Sequence, residues 1–94
     1  MAYTVIARDG TDEEAPARRQ AVRDQHLQGI AQHVESGVLQ YAGALLNEEG
    51  VMCGSLLILD LPDRAAVRAW LDADVYTKEG VWQEFEVHGF RRAV

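Results

Sequence analysis

The spacing of hydrophobic residues changes period several times along the chain, and each change marks a boundary between predicted elements. Residues 3–8 are rich in β-branched and aromatic types and run into the turn-forming pair Asp9-Gly10, which predicts a first strand. Apolar residues then recur at helical intervals over residues 27–34, and Gly37 follows as a stop. The N-terminal part of the chain therefore predicts a strand followed by a long helix.

The start of this helix is marked less sharply than its end. Thr11 and Glu14 are spaced as a capping box, and Pro16 fits only the first helical turn. Gln20 and Arg23 occupy positions where the apolar stripe would otherwise continue toward the N-terminus. That end of the helix is therefore expected to border a cleft or a subunit boundary, not the hydrophobic core.

Two apolar runs follow the helix, at residues 38–46 and 52–59, with the polar segment 47–50 between them. The segment ends in glycine, which is typical of hairpin connections because many hairpin turns need a positive φ. The two runs therefore predict an antiparallel pair of strands.

The C-terminal part of the chain predicts a second helix and a last strand. Asp63 is a suitable N-cap for a helix that reaches Ala73, and residues 76–80 form a short connection after it. Residues 82–90 alternate apolar and polar side chains, which is the pattern of a half-buried strand. The predicted order of elements is β-α-β-β-α-β.

This order predicts an α+β fold of the ferredoxin-like type, in which two helices cover one face of a four-stranded antiparallel sheet. The chain length suits one domain, residues 1–94. A single helical layer leaves the other face of the sheet open. Leu57 and Leu59 lie on one face of the third strand and Leu56 and Ile58 on the other, so both faces of the sheet are expected to be apolar. We expect a homodimer that buries the open face.

Composition and charge narrow the range of partners. The net charge of −6, with nine dispersed Lys and Arg residues, argues against nucleic acid and against anionic membrane surfaces. The apolar run 55–59 is far shorter than a bilayer span, and the N-terminus shows no export signal, so a cytoplasmic location is expected. The single cysteine, Cys53, is expected to be a small buried side chain in a strand.

Asp74 interrupts the apolar pattern of the second helix. Val67, Trp70 and Leu71 lie on one helical face, and Asp74 falls where that face would continue. A charge without a partner is costly to remove from water. Three interpretations are open: the carboxylate is exposed after all, it caps a neighbouring segment, or it pairs with another functional group.

Among the histidines, His26 is the strongest candidate for chemistry. It lies at the margin of the apolar stripe, next to the end where the stripe fades. A half-buried imidazole there suits a general base near neutral pH, although a partly exposed histidine without a role fits the same spacing. His33 is expected in solvent and His88 on the polar side of the last strand. The spacing of His26 and His33 does not suit a shared metal ion.

Gly54 and Ser55 open the apolar part of the third strand. The missing side chain of Gly54 would admit either a ligand or a neighbouring backbone at close range. Ser55 would then donate a hydrogen bond to a ligand, or bond locally as strand serines do. Without a G-x-S-x-G context it is not expected to be an activated nucleophile.

Taken in order, these segments resemble the YciI-like (YCII-related) family over essentially the whole chain. The segments that carry the resemblance are residues 23–27 with the histidine, 41–43, 54–55, 74–76 and Gly80. The family usually has proline where this chain has Val75, so a rigid φ after the aspartate is lost here.

The resemblance implies a dimeric α/β barrel built from ferredoxin-like subunits. The implied site is built from His26 and Asp74, with Ser55 lining it. Gly54, Tyr41 and Tyr76 are further candidates for its lining, although packing in the core accounts for the two tyrosines as well. Relatives of this kind include an enzyme that removes chloride from a chlorinated hydroxyhydroquinone. Similar folds serve muconolactone isomerisation and the monooxygenation of small aromatic compounds.

On this basis we expect Asp74 to accept a hydrogen bond from His26, which fixes the imidazole tautomer and leaves its far nitrogen free to take a proton. The predicted function is a lyase or isomerase, of the dehydrochlorinase kind, that acts without a cofactor or metal on a small polar or aromatic compound. The alternative is a dimeric module without catalysis that binds a small molecule or a partner protein.

Overall fold

The computed structural model describes all residues, 1–94, as four strands and three helices. In chain order the elements are β1 (Ala2–Asp9), α1 (Ala15–Ser36), β2 (Leu39–Leu46), β3 (Met52–Asp60), α2 (Arg64–Ala73), α3 (Val75–Lys78) and β4 (Trp82–Phe90). Every predicted element is present close to its expected bounds. The addition is α3, which occupies part of the predicted connection; a helix of four residues is too short to show a period in the sequence.

The strands lie in the order β2-β3-β1-β4, and each neighbouring pair is antiparallel. This is the ferredoxin-like arrangement, so the predicted fold class is confirmed. Val5 of β1 is opposite both Leu57 of β3 and Val87 of β4, which places these three side chains on the same face of the sheet. The helices cover this face.

The hydrophobic core lies between the sheet and the helices. Leu57 and Leu59 from β3 and Val67 and Leu71 from α2 are at most 1% exposed, and Val5 is fully buried. Burying one such side chain stabilises the fold by about 1.5–3 kcal/mol. None of the helices combines the length and the apolar content that crossing a membrane would require.

The two long helices begin differently. Asp63 caps α2 as predicted, because its carboxylate accepts a hydrogen bond from Ala66 N at 2.8 Å. Helix α1 follows Glu14, which makes no side-chain capping bond, so the predicted capping box does not form. Asp12 instead accepts hydrogen bonds from the guanidinium of Arg18 at the surface.

The buried face of α1 differs from the predicted stripe. Leu27 and Val34, which were expected in the core, are 42% and 58% exposed. Both side chains line a gap between α1 and the edge strand β2, so they face a cleft. The buried positions of the helix are Ala15, Arg19, His26 and Ile30.

The face of the sheet opposite the helices is open. Leu56 and Ile58, which alternate with the core residues of β3, are only partly buried in the single chain. Cys53 is exposed, contrary to the expectation of a buried thiol, because it lies beside the β2–β3 turn at the end of the sheet.

Gly54 is required by the approach of the neighbouring strand. A Cβ atom at this position would lie 2.6 Å from the carbonyl oxygen of Ala7 and 3.3 Å from Leu45 Cδ1. Since the oxygen belongs to the backbone of the central strand, it cannot swing aside as a side chain would. We expect Gly54→Ala to lower the free energy of unfolding by about 1–3 kcal/mol, as overpacking of a dense interior does.

Gly43 on β2 is the matched control, because a Cβ there meets nothing within 4 Å. Urea unfolding should leave Gly43→Ala within about 0.5 kcal/mol of the wild type. Equal stability of the two variants would contradict the close approach at Gly54.

Candidate functional site

Asp74 joins α2 to α3 and meets two of the three interpretations left open by the sequence. It is the C-cap of α2 and also the N-cap of α3, where its Oδ1 accepts a hydrogen bond from Tyr76 N at 2.8 Å. The same oxygen lies 2.8 Å from Nδ1 of His26. The carboxylate therefore caps and pairs at once, and only 7% of its side chain is exposed.

His26 reaches Asp74 from the middle of α1, and 8% of its side chain is exposed. An ionised carboxylate only accepts hydrogen bonds, so Nδ1 of the imidazole must carry the hydrogen that it donates to Asp74. The other ring nitrogen, Nε2, makes no hydrogen bond within the chain, and it is not among the fully buried polar atoms that lack a partner. In the neutral ring this nitrogen is a free acceptor.

Two aromatic rings hold the imidazole in place. Tyr76 stacks on His26 with 3.9 Å between ring centroids and 7° between planes. Trp82 meets His26 edge-on at 5.4 Å. Burial raises the pKa of the Tyr76 hydroxyl, while the charge of Arg19 opposes that rise. Tyr76 is therefore a neutral phenol at physiological pH, beside an imidazole that has little freedom to rotate.

A second polar group lies next to these rings and was missed by the sequence analysis. Nη1 of Arg19 donates to both carboxylate oxygens of Asp9, at 2.9 and 3.0 Å. Its Nη2 donates to Ser55 Oγ at 2.9 Å, and Trp82 Nε1 donates to the same oxygen at 3.2 Å. The guanidinium also lies 4.9 Å from the centre of the Tyr76 ring. This Asp9–Arg19–Ser55 network shares two aromatic rings with His26.

Asp9 is buried at the far end of the network. Burial raises the pKa of its carboxyl, and the hydrogen bond and charge of Arg19 oppose that rise without cancelling it. Its side chain is 3% exposed and that of Arg19 is 7% exposed. Such a pair is held by its geometry, because either charge alone would be costly in this position.

A signal for Arg19 exists in the sequence. It lies seven residues, about two helical turns, before His26, and therefore on the same side of α1. Ala15 and Ile30 continue that line toward either end of the helix. A charged residue on an otherwise apolar line is the same signal that drew attention to Asp74.

A cleft of about 480 Å³ opens between α1 and the β2–β3 side of the sheet. Its polar lining includes Arg19, Arg23, His26, Ser55 and Tyr76, and its apolar lining includes Leu27 and Leu57. Asp74 does not line this cleft. It lines a second depression of about 330 Å³, and His26 is the residue that lines both.

The remaining predicted positions are placed as follows. Gly54 does not line the cleft. It was predicted to admit either a ligand or a neighbouring backbone, and the structure shows the neighbouring backbone there. Tyr41 borders the cleft from β2, but it pairs with Ile58 in the register and is 66% exposed, so it lies at the rim. His33, which was expected in solvent, is partly buried, because its ring packs edge-on against Trp70 with ring centroids 5.2 Å apart.

His88 is exposed on β4, as predicted, and lies 3.6 Å from a carboxylate oxygen of Glu86. Groups of three His, Cys, Asp or Glu side chains with the spacing of a metal site do not occur in the structure.

Among solved structures, a dehydrochlorinase aligns with nearly the whole chain. It is the 5-chloro-2-hydroxyhydroquinone dehydrochlorinase TftG from Burkholderia phenoliruptrix AC1100, in complex with 2,5-dihydroxybenzoquinone. The TM-score is 0.82 at 19% identity, with 99% of this chain and 96% of that chain covered. A dimeric ferredoxin-like protein of unknown function from Jannaschia sp. CCS1 aligns with a TM-score of 0.55 at 17% identity, covering 97% and 98%. These likenesses support the fold.

The sequence comparisons identify the family. The proteins called YciI from Escherichia coli and from Shigella flexneri are each 31% identical to this chain over an alignment of 98 residues, which covers 98% of both chains. The model of the YCII-related domain matches residues 1–91. This is the family that the segments with the histidine and the aspartate predicted. The chain therefore belongs to the YCII-related family.

Proposed function

We propose that this protein is a small-molecule enzyme of the lyase or isomerase type that uses His26 and Asp74 for proton transfer and needs no cofactor. The observation that carries the proposal is the 2.8 Å contact between His26 Nδ1 and Asp74 Oδ1, with both side chains buried and the imidazole bordering a cleft. Buried polar groups positioned in this way beside a cavity are typical of catalytic sites.

In the proposed step, Nε2 of His26 takes a proton from an O–H or C–H group of a ligand in the cleft. The imidazolium that forms is stabilised by the carboxylate of Asp74 through the Nδ1 hydrogen bond. The same histidine returns the proton to another atom of the ligand or to a leaving group. Tyr76 and Trp82 keep the ring in one orientation throughout.

The aligned dehydrochlorinase suggests which substrate to test first. TftG is a 5-chloro-2-hydroxyhydroquinone dehydrochlorinase. Loss of HCl removes one proton and one chloride ion and transfers no electrons to an outside acceptor, so a base and a shaped cleft suffice. A cleft of about 480 Å³ with aromatic walls accommodates one such ring.

Chloride release from 5-chloro-2-hydroxyhydroquinone, followed with a chloride electrode, tests this proposal. We expect release above the rate without protein, and a progressive loss of rate when 2,5-dihydroxybenzoquinone is added as a competitor. A rate equal to the background, together with unchanged NMR signals of cleft residues on adding the quinone, would contradict it.

The alternative is a binding module without catalysis, in which the His26–Asp74 pair serves as a polar anchor. The observation in its favour is that both groups also hold structure, since Asp74 caps α3 and His26 packs in an aromatic cluster. Replacing His26 by alanine separates the two functions. Loss of turnover with preserved quinone affinity supports the enzyme, whereas loss of affinity alone supports the module.

We also propose that two copies associate through the open sheet face. Leu56 and Ile58 lie there on β3 and are left partly exposed by the single chain. An aligned structure is described as dimeric and ferredoxin-like, which fits this mode of assembly.

Introducing a charge on the open face should dissociate such a dimer. We expect Ile58→Asp to sediment as a monomer at concentrations where the wild type is dimeric, because a carboxylate would be buried without a partner. Gln28→Asp, which adds the same charge to an exposed position of α1, is the control and should sediment like the wild type. Circular dichroism checks that both variants are folded. A monomeric wild type would overturn the proposal.

A further inference from the structure

The hydroxyl of Ser55 has used all its accepting capacity inside the protein. Its oxygen accepts one hydrogen bond from Arg19 Nη2 at 2.9 Å and one from Trp82 Nε1 at 3.2 Å. A serine oxygen has two lone pairs and one hydrogen, and both of these partners are donors only. The chain supplies no acceptor for the remaining hydrogen. Since Ser55 lines the cleft, this O–H group is left to donate to a ligand.

Positive charge accompanies this donor. Arg19 is 6% exposed, and its Nε is buried with no hydrogen-bond partner, so Asp9 and Ser55 do not satisfy the guanidinium completely. Arg23 follows one helical turn later, lines the same cleft and takes part in none of the ion pairs of the chain. Asp9 balances the charge of Arg19, so Arg23 supplies the unbalanced positive charge at this end of the cleft, in a chain whose net charge is −6.

We propose that Ser55, Arg19 and Arg23 form an oxyanion-binding subsite that positions the substrate against His26. The inference rests on the proposed function and names its substrate class: small planar compounds that carry a phenolate, enolate or carboxylate oxygen. Ser55 and His26 contact the same indole, that of Trp82, one by hydrogen bond and the other edge-on at 5.4 Å. Both residues also line the same cleft, so a ring bound there would place its oxyanion beside Ser55 and its reacting proton beside His26.

The oxyanion preference is measurable without turnover. 4-Nitrophenol is a suitable probe because its phenolate is yellow and its neutral form is nearly colourless. Binding to the wild-type protein should shift the probe toward the yellow form at constant pH. 4-Nitroanisole, which has the same ring but no ionisable oxygen, should bind about 10- to 100-fold more weakly, the usual effect of losing a hydrogen bond to a charged acceptor.

Substitutions at Ser55 test whether its hydroxyl causes the preference for the phenolate. We expect Ser55→Ala to lose the yellow shift and Ser55→Thr, which keeps a hydroxyl, to retain it. Ser36→Ala is the matched control, because Ser36 is exposed at the end of α1 and outside the cleft. Circular dichroism is recorded for each variant, since Ser55→Ala leaves Arg19 and Trp82 without their shared acceptor.

The outcomes separate this inference from the proposed function. A yellow shift that survives in His26→Ala but is lost in folded Ser55→Ala supports the subsite, even if no turnover is found with any substrate. A shift that follows His26 and persists in Ser55→Ala overturns the subsite and leaves proton transfer by His26 standing. Equal affinity of the wild type for 4-nitrophenol and 4-nitroanisole also overturns it, and this result needs no variant.

Discussion

The His26→Ala variant is expected to lose about 10²–10⁴-fold in turnover, the usual contribution of a positioned general acid or base. Alanine removes the imidazole that borders the cleft and contacts Asp74, and no other histidine lines that cleft. His33 packs against Trp70 and His88 lies on the exposed side of β4. Initial rates of chloride release at saturating substrate measure the effect directly.

Two further variants control this prediction. His33→Ala removes an imidazole from the same helix outside the cleft, so its turnover should match the wild type. Asp74→Asn keeps a good N-cap for α3 and an oxygen that accepts from His26, but it removes the charge that stabilises an imidazolium. Its turnover should fall while its unfolding midpoint changes little. Equal rates for His26→Ala and His33→Ala would contradict a catalytic role of His26.

Arg19→Met is expected to produce the largest loss of stability, about 3–5 kcal/mol, because it leaves a buried carboxylate without its partner. Methionine fills a similar volume but cannot donate to Asp9 or to Ser55. Urea unfolding followed by circular dichroism gives the change in the free energy of unfolding.

The neighbouring Arg18 supplies the control. It pairs with Asp12 on the surface, so Arg18→Ala should unfold close to the wild type. A loss in Arg19→Met no larger than in Arg18→Ala would contradict the structural role of the buried pair.

The destabilisation of Arg19→Met should depend on pH in a defined direction. Burial already raises the pKa of Asp9, and removing Arg19 takes away the groups that oppose the rise. The folded variant then holds the Asp9 proton more tightly than the unfolded chain does. The contribution of Asp9 to the stability of the variant is therefore fully present at acid pH and is lost as the pH rises from the ordinary aspartate range through the raised pKa. A deficit relative to the wild type that grows on acidification would be inconsistent with this account.

The element order and the unusual position of Asp74 were accessible from the sequence for the same reason. Both depend on periodicity: a strand or helix face is visible as spacing, and Asp74 is visible as a polar residue on an apolar face. The contact itself needed the family resemblance, because spacing within α2 says nothing about which residue of α1 lies opposite. Here the structure contains the predicted contact, while its catalytic role stays a proposal.

The features that were missed depend on tertiary arrangement. Arg19 and Asp9 lie ten residues apart in different elements, and only the packing of α1 on the sheet brings them together. Leu27 and Val34 look like core residues because an apolar stripe does not distinguish a core from a cleft. Cys53 looks buried because strand composition does not reveal where the helical cover ends. Each error concerns what lies opposite a residue, which local patterns do not encode.

Nitrogen NMR of His26 in isotope-labelled protein tests the central claim most directly, since the claim is that Nδ1 of the imidazole donates a hydrogen bond to Asp74. We predict that Nδ1 carries a hydrogen that is protected from exchange by its bond to Asp74, and that a neutral ring has its hydrogen on Nδ1 and none on Nε2. A neutral ring with its hydrogen on Nε2, or the averaged shifts of an imidazole that exchanges freely between tautomers, would contradict the claim.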